Sequence, residues 1–118
     1  MGIRKRTFIQ GMAASALGLA TSTAIAQQGK PLKIGLLLPM TGPFGSTGRQ
    51  IENGVRLYMA QFGDKVAGRP VEIILKDDTG VPDITKRLAQ ELVVNDKVDV
   101  LAGFGLTPLA LATAPIAS

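Results

Sequence analysis

The segment Leu32–Leu38, LKIGLLL, is a nearly continuous apolar run with the length of one β-strand. Such runs suit a strand that is covered on both faces, as in a parallel sheet. Two shorter runs, residues 71–75 and 98–102, have the same character farther along the chain. The three runs therefore predict three strands of one sheet.

Helical spacing fills the intervals between these strands. Apolar residues fall on one face of residues 49–62, and again in the segment that begins near Pro82. A third helix is expected to start at Thr107 as its cap, with Pro108 in the first position, and Pro115 should kink or end it. The alternation of strand and helix indicates an α/β fold with a parallel sheet.

A binding crevice follows if strands 2 and 3 flank strand 1, which is the strand order 2-1-3. Right-handed crossovers then place the first helix on one face of the sheet and the second helix on the other. The connections leave strand 1 in opposite directions, and open α/β sheets bind ligands at such a point. We therefore expect the start of a doubly wound parallel sheet, with a crevice between loops 41–48 and 103–107.

Both loops of this crevice suit an anion, because each leads into a helix N-terminus with unpaired backbone N–H groups. The hydroxyls of Ser46, Thr47 and Thr107 are candidate hydrogen-bond donors, and Phe44 with Phe104 is a candidate apolar wall. A purely structural interpretation stays open from the pattern. In that interpretation Thr107 only caps its helix, the glycines only turn the chain, and Phe44 only fills its loop.

Residues 1–26 have the three-part form of a secretory signal peptide: a basic start, an apolar segment at 11–20 and a small-x-small ending at Ala26. Cleavage is expected after Ala26. Lys5-Arg6 begins a segment that resembles a twin-arginine signal with Lys in place of the first Arg, so the Sec and twin-arginine routes both stay open. A membrane anchor is disfavoured, because a bilayer span needs about 20 apolar residues.

Composition excludes several function classes. The chain has 13 Lys and Arg against 9 Asp and Glu, but three of the basic residues lie in the leader, so the net charge after residue 26 is +1. That balance gives no electrostatic case for nucleic acid as a partner. The chain has no Cys and no His, which excludes a disulfide scaffold, a catalytic thiol and the commonest general base and metal ligand. We therefore expect no enzyme activity.

Two short patterns fall short of a cofactor site or a metal site. The spacing Gly42-x-x-Gly45-x-x-Gly48 matches neither the dinucleotide fingerprint nor the phosphate-binding P-loop. Asp77 and Asp78 are interpreted as a solvated loop after strand 2, and this pair offers too few oxygen ligands for a metal ion. The sequence therefore indicates no cofactor and no metal.

Two segments carry a resemblance to a known family. Residues 32–48, LKIGLLLPMTGPFGSTG, resemble the opening strand and loop of type I periplasmic binding proteins of branched-chain-amino-acid ABC importers. Residues 71–117, VEIILKDDTGVPDITKRLAQELVVNDKVDVLAGFGLTPLALATAPIA, are similar to the same family's second strand through third helix. The resemblance implies two α/β lobes that close over a ligand, with strand order 2-1-3 in the first lobe. Family members are several times longer, so residues 27–118 would be a partial N-terminal lobe.

The resemblance also implies roles for individual residues. A hydroxyl residue four positions after the glycine that ends strand 3 contacts the ligand's carboxylate in family members, which corresponds to Thr107 here. Thr47 corresponds to a residue that lines the cleft, and the backbone around Phe104 and Gly105 would lie alongside.

The function implied is that of a periplasmic, non-catalytic substrate-binding component of an ABC importer. Its ligand would be a branched-chain amino acid or a related small carboxylate, which it passes to a permease in the inner membrane. Amino-acid-binding members hold the ammonium group with an acidic residue of the other lobe, whereas some relatives bind aromatic acids, which Phe44 and Phe104 would suit. An exported sensory domain of the same fold and an exported enzyme that uses Asp77 or Asp78 are the alternatives.

Overall fold

The computed structural model describes residues 29–118, so the predicted signal peptide and its cleavage site lie outside the described residues. The described part is an α/β unit in which strands and helices alternate, as predicted. Its elements are β1 (Leu32–Leu38), α1 (Gly45–Phe62), β2 (Lys65–Val66), β3 (Arg69–Asp77), α2 (Pro82–Val94), β4 (Val100–Gly103), α3 (Thr107–Thr113) and a 3-10 turn (Ala114–Ile116).

The described strands form one sheet with the order β2-β3-β1-β4. β1 lies in the middle and pairs in parallel with β3 and with β4, so that Leu36 is opposite Leu75 on one side and Ala102 on the other. The predicted order 2-1-3 therefore holds for these three strands. The predicted order lacks β2, a fourth strand that pairs antiparallel with β3. Two residues are too few to show the alternation that identifies a strand.

α2 covers one face of β1, and the hydrophobic core lies between them. Leu37, Ala89 and Leu92 are fully buried and form one cluster. A Cβ placed on Gly35 would lie 2.9 Å from Leu92 Cδ1, so the absence of a side chain at this position lets α2 approach the sheet. Because side chains alternate along a strand, Gly35 and Leu37 share the face that α2 covers.

The opposite face of β1 is covered by α1 much less completely. Two cavities of about 250 and 490 Å³ lie between α1 and the sheet, and Val55, Met59 and Ile73 line both. The fully buried residues of α1 are Gly45 and Gly48, both in its first turn. The two helices thus lie on opposite faces, as the crossover rule predicts, but only α2 has a closed interface with the sheet.

α1 begins at Gly45, four residues before the predicted start at 49. The prediction was wrong because Gly45 and Gly48 were interpreted as loop breakers. A Cβ on Gly48 would collide with the carbonyl oxygen of Pro39, so this glycine permits the first helical turn to lie against the end of β1. Ser46 and Thr47 therefore belong to the helix, and the preceding loop is shorter than predicted.

The start of α3 also differs from its prediction. Leu106 occupies the N-cap position and provides no side-chain hydrogen bond to the helix, so the expected cap by Thr107 was wrong. Thr107 and Pro108 instead form the first two residues of α3. The expectation for Pro115 is confirmed, because α3 ends just before it and the chain continues as the 3-10 turn Ala114–Ile116.

Candidate ligand-binding site at the carboxyl ends of the strands

Three loops leave the sheet at the same edge, because β1, β3 and β4 run parallel and are neighbours. We call this place the carboxyl edge. It comprises the β1–α1 loop (39–44), the β3–α2 loop (78–81) and the β4–α3 loop (104–106). β1 is the strand at which the chain order reverses, so the carboxyl edge is the topological switch point where open α/β sheets bind ligands.

The β1–α1 and β4–α3 loops start in direct contact. Gly103 has a φ of +106°, and a Cβ there would collide with the carbonyl oxygen of Leu37. The same oxygen accepts a hydrogen bond from the N–H of Phe104 at 2.8 Å. One residue later, Gly105 lies over the ring of Pro39, where a Cβ would come within 3.0 Å of Cγ. The two loops predicted to flank a crevice are therefore fixed side by side.

The β3–α2 loop lies next to both of these loops. A Cβ on Gly80 would lie 3.5 Å from Phe44 Cδ2 and 3.8 Å from Leu106 Cδ1. A side chain at position 80 would therefore meet one side chain from each of the other two loops. Sequence reasoning did not include this third loop in the crevice, since its position follows only from the pairing of β3 with β1.

The hydroxyl residues of the predicted site are exposed at helix starts. Ser46 and Thr47 lie in the first turn of α1, and Thr107 is the first residue of α3. The N–H groups of Thr47 and Gly48 both donate to the carbonyl of Phe44, at 3.0 and 3.2 Å. Within residues 29–118, the N–H of Ser46 has no such partner. The first turn of α1 therefore presents one N–H group together with two hydroxyls.

The two candidate wall residues differ in their surroundings. Phe44 is 43% exposed at the carboxyl edge. Phe104 is half-buried and packs against the core cluster of Leu37, Ala89 and Leu92. Its N–H group already donates to the Leu37 carbonyl, and its ring packs in the core. The exposed aromatic surface in this region belongs to Phe44.

Asp77 connects β3 to the β1–α1 loop, which the sequence analysis did not foresee. Its carboxylate accepts hydrogen bonds from the Met40 N–H at 2.9 Å, the Thr79 N–H at 2.9 Å and the Thr41 hydroxyl at 2.6 Å. Burial acts to raise the pKa of Asp77, but these hydrogen bonds outweigh it and hold the pKa below its ordinary value. Asp77 is therefore an ionised anchor for the loop.

Asp78, next to it, is fully buried. Its backbone N–H donates to Leu38 at 3.0 Å, and Oδ1 accepts from the N–H of Gly80 at 2.8 Å. Oδ2 is buried without a hydrogen-bond partner in the described part of the chain. Burial raises the pKa of Asp78 despite the Gly80 hydrogen bond, and the nearby charge of Asp77 adds to that rise. The interpretation of this pair as a solvated loop was wrong.

Arg49 is a second residue that sequence reasoning missed. Its guanidinium donates to the carbonyl of Met40 at 3.3 Å, which places a positive charge beside the β1–α1 loop. The available signal was its position one helical turn after Gly45, but that spacing is informative only once the helix start is known.

Residues 29–118 contain no group of three or more Cys, His, Asp or Glu side chains that could hold a metal ion. None of the helices in this range has the length and apolar character required to cross a membrane.

Comparison with known families and structures identifies the fold. A family model described as periplasmic binding protein matches residues 31–118. A Brucella abortus protein named Leu/Ile/Val-binding protein homolog 6 is 40% identical over 106 residues, which are 89% of this chain and 27% of the relative.

Two solved structures match the sheet and its helices. One is an ABC-transporter solute-binding protein of Rhodopseudomonas palustris BisB5 in complex with 3,4-dihydroxybenzoic acid, with 61% identity and a TM-score of 0.72 over 75% of this chain and 24% of that one. Another, from R. palustris in complex with 4-hydroxybenzoate, has 38% identity and a TM-score of 0.69 over 74% and 24%. The chain spans about a quarter of the length of these relatives. From the family match over residues 31–118, this chain belongs to the periplasmic binding protein family.

Proposed function

We propose that residues 27–118 form the first part of one lobe of an exported, two-lobe solute-binding protein of an ABC importer. The observation that carries this proposal is the contact between the β1–α1 and β4–α3 loops at the topological switch point. The protein binds a small carboxylate there and passes it to an inner-membrane permease, without catalysing a reaction. Residues 1–26 direct export to the periplasm and are cleaved after Ala26.

The carboxylate of the ligand lies between the two helix starts. Thr107 donates its hydroxyl to the carboxylate, and Thr47 lines the cleft from α1. The peptide between Phe104 and Gly105 lies alongside the ligand. A helix N-terminus stabilises one such charge by about 0.3–1 kcal/mol at an exposed site and by up to about 2 kcal/mol when it is partly buried.

Phe44 and Ser46 supply the cleft wall beside this anion site. The exposed ring of Phe44 offers an apolar surface next to polar groups, which is the combination that a benzoate-like ligand needs. The charge of Arg49 beside the same loop adds to the preference for an anion.

An aromatic acid is the ligand class that the relatives favour. The 61% identical structure holds 3,4-dihydroxybenzoic acid, and the 38% identical one holds 4-hydroxybenzoate. A branched-chain amino acid is the second candidate, supported by the name of the Brucella relative at 40% identity. In either case the carboxylate is the shared group, and the second lobe must recognise the remainder of the ligand.

A two-lobe chimera tests this proposal. In it, residues 31–118 replace the matching segment of the Rhodopseudomonas palustris BisB5 protein, which supplies the second lobe. We expect calorimetric titration to show saturable binding of 3,4-dihydroxybenzoate, with benzyl alcohol, which lacks the carboxylate, as the negative control ligand. A chimera that folds with a cooperative thermal transition and binds no aromatic acid and no branched-chain amino acid would contradict the proposal.

A further inference from the structure

The β1–α1 loop is held at its second residue, Met40, by two charged side chains. The N–H of Met40 donates to Asp77 at 2.9 Å, and the carbonyl of Met40 accepts from Arg49 at 3.3 Å. The Thr41 hydroxyl adds the shortest of these bonds, 2.6 Å to the second oxygen of Asp77. After this point the chain passes through Gly42 and exposed residues to the first turn of α1.

Asp77 is well placed to fix this loop, because it is itself fixed at the end of a central β-ladder. Its backbone pairs with Leu38 in the register of β1 and β3. The same carboxylate also accepts the Thr79 N–H at 2.9 Å, so it joins the β3–α2 loop to the β1–α1 loop. Bonds to an ionised acceptor are the stronger class of protein hydrogen bonds.

We propose that Asp77 is a positioning residue for the ligand, which holds the β1–α1 loop in its binding shape through Thr41 and Met40 without touching the ligand. The inference rests on the proposed function, since it assigns a role in the same crevice. A loop that is already ordered loses less conformational entropy when the ligand binds, and the ligand's affinity increases accordingly. Asp77 thus affects the ligand's affinity indirectly, because the loop that it holds leads to Phe44, Ser46 and Thr47.

The competing explanation is that Asp77 only stabilises the fold. Substitutions that keep or remove the acceptor oxygens of Asp77 distinguish the two explanations. An Asn at this position keeps an oxygen in the place of Oδ1, which accepts from both Met40 and Thr79, whereas Ala removes every acceptor. A positioning role therefore predicts that Asn restores the affinity that Ala loses.

The test measures ligand affinity in the two-lobe chimera, with 3,4-dihydroxybenzoate as the probe. Asp77→Ala is expected to weaken binding by roughly tenfold or more, as loss of hydrogen bonds to a charged group does. Asp77→Asn should recover most of that loss. Thr41→Ala added to Asp77→Ala should cause little further change, because both substitutions remove the same connection. Asp64→Ala, at an exposed position after α1, is the matched control and should leave affinity unchanged.

The affinities of these variants can each support or overturn the positioning role of Asp77. Unchanged affinity in a folded Asp77→Ala variant, or an equal loss in the Ala and Asn variants at matched thermal stability, would overturn the positioning role. Fully additive losses for Thr41→Ala and Asp77→Ala would overturn the route through Thr41. Failure of the unsubstituted chimera to bind is a separate result that concerns the proposed function, so the two failures are distinguishable.

Discussion

Gly103 is a residue of the carboxyl edge at which a side chain would be strained for two reasons. Its φ is +106°, where side chains are strained, and a Cβ would collide with the Leu37 carbonyl oxygen. Gly103→Ala in the two-lobe chimera should therefore lower the free energy of unfolding by about 2 kcal/mol or more. Chemical denaturation measures this loss.

Gly54→Ala is the matched control for that substitution. Gly54 is exposed inside α1, and a Cβ there would meet nothing within 4 Å. The Ala variant should raise the free energy of unfolding by about 0.5–1 kcal/mol, because Ala costs less conformational entropy in a helix than Gly does. Equal effects at the two positions would show that the close contact at Gly103 is absent.

Thr107 carries the proposed contact with the ligand's carboxylate. Thr107→Ala in the chimera should weaken 3,4-dihydroxybenzoate about fivefold, which corresponds to the loss of one hydrogen bond of about 1 kcal/mol. Thr107→Ser keeps the hydroxyl and should bind nearly as well as the parent. Calorimetric titration that shows the same affinity for all three proteins would remove Thr107 from the site.

At the scale of residues, the predictions that depend only on the path of the backbone were more successful than those that depend on side-chain contacts. A crevice was predicted between loops 41–48 and 103–107, and the structure places residues 103–105 against Leu37 and Pro39, just before the first of these loops. Asp77 was assigned to solvent because its three donors come from two loops whose paths the sequence does not specify. Its position after a strand was the only available signal.

At the scale of elements, the presence of three parallel strands was predictable, whereas their order and the helix boundaries were less so. Apolar runs indicate the strands, and right-handed crossovers then place α1 and α2 on opposite faces once the order 2-1-3 is assumed. The start of α1 was not predictable, because Gly45 and Gly48 usually mark a turn and here allow a close approach to Pro39 and Met40. The hairpin of β2 and β3 was missed because β2 has only two residues.

A polar connection joins Lys76 of β3 to Glu91 of α2 and to Asp96, which follows α2. Lys76 Nζ lies 2.7 Å from Glu91 Oε1 and 3.5 Å from Asp96 Oδ2. The hydrogen bond to Glu91 raises the pKa of Lys76 despite the opposing effect of partial burial. Lys76→Met should lower the free energy of unfolding by about 0.2–1 kcal/mol at low ionic strength, as partly exposed ion pairs do.

Salt provides the control for this prediction. The loss should shrink in about 1 M NaCl, because added ions screen exposed charges. Lys86→Met, which changes an exposed lysine of α2, should show a smaller effect at low salt. A salt-independent loss for Lys76→Met would mean that packing, and not the ion pair, connects β3 to α2.

At the scale of the whole molecule, the face of the sheet beneath α1 is incompletely filled. Cavities of about 250 and 490 Å³ remain there, and Tyr58, Phe62 and Val66 are more than half exposed. β4 also lies at an edge of the sheet, with one side unpaired in the described residues. Open strand edges and exposed apolar surface favour association between chains.

We therefore predict that residues 27–118, expressed without a second lobe, are poorly folded or aggregate and do not bind ligand with the affinity of a two-lobe protein. Circular dichroism melting with light scattering checks this prediction, with the two-lobe chimera as the folded reference. A sharp two-state transition in a monomeric sample of residues 27–118 would contradict it.

The fold class followed from the alternation of strand and helix, whereas the strand order 2-1-3 was an assumption that the family resemblance supported and the structure confirms for β3, β1 and β4. The ligand class did not follow from the sequence, because none of its motifs is specific for one ligand. The exposed ring of Phe44 is the single feature within residues 29–118 that points to an aromatic acid.

The most direct test of the central claim is a crystal structure of the two-lobe chimera bound to 3,4-dihydroxybenzoate. We expect the carboxylate to lie between the starts of α1 and α3, within about 3.2 Å of the Thr107 hydroxyl. A carboxylate bound elsewhere in the cleft, with no contact to the β1–α1 loop or the β4–α3 loop, would contradict the account.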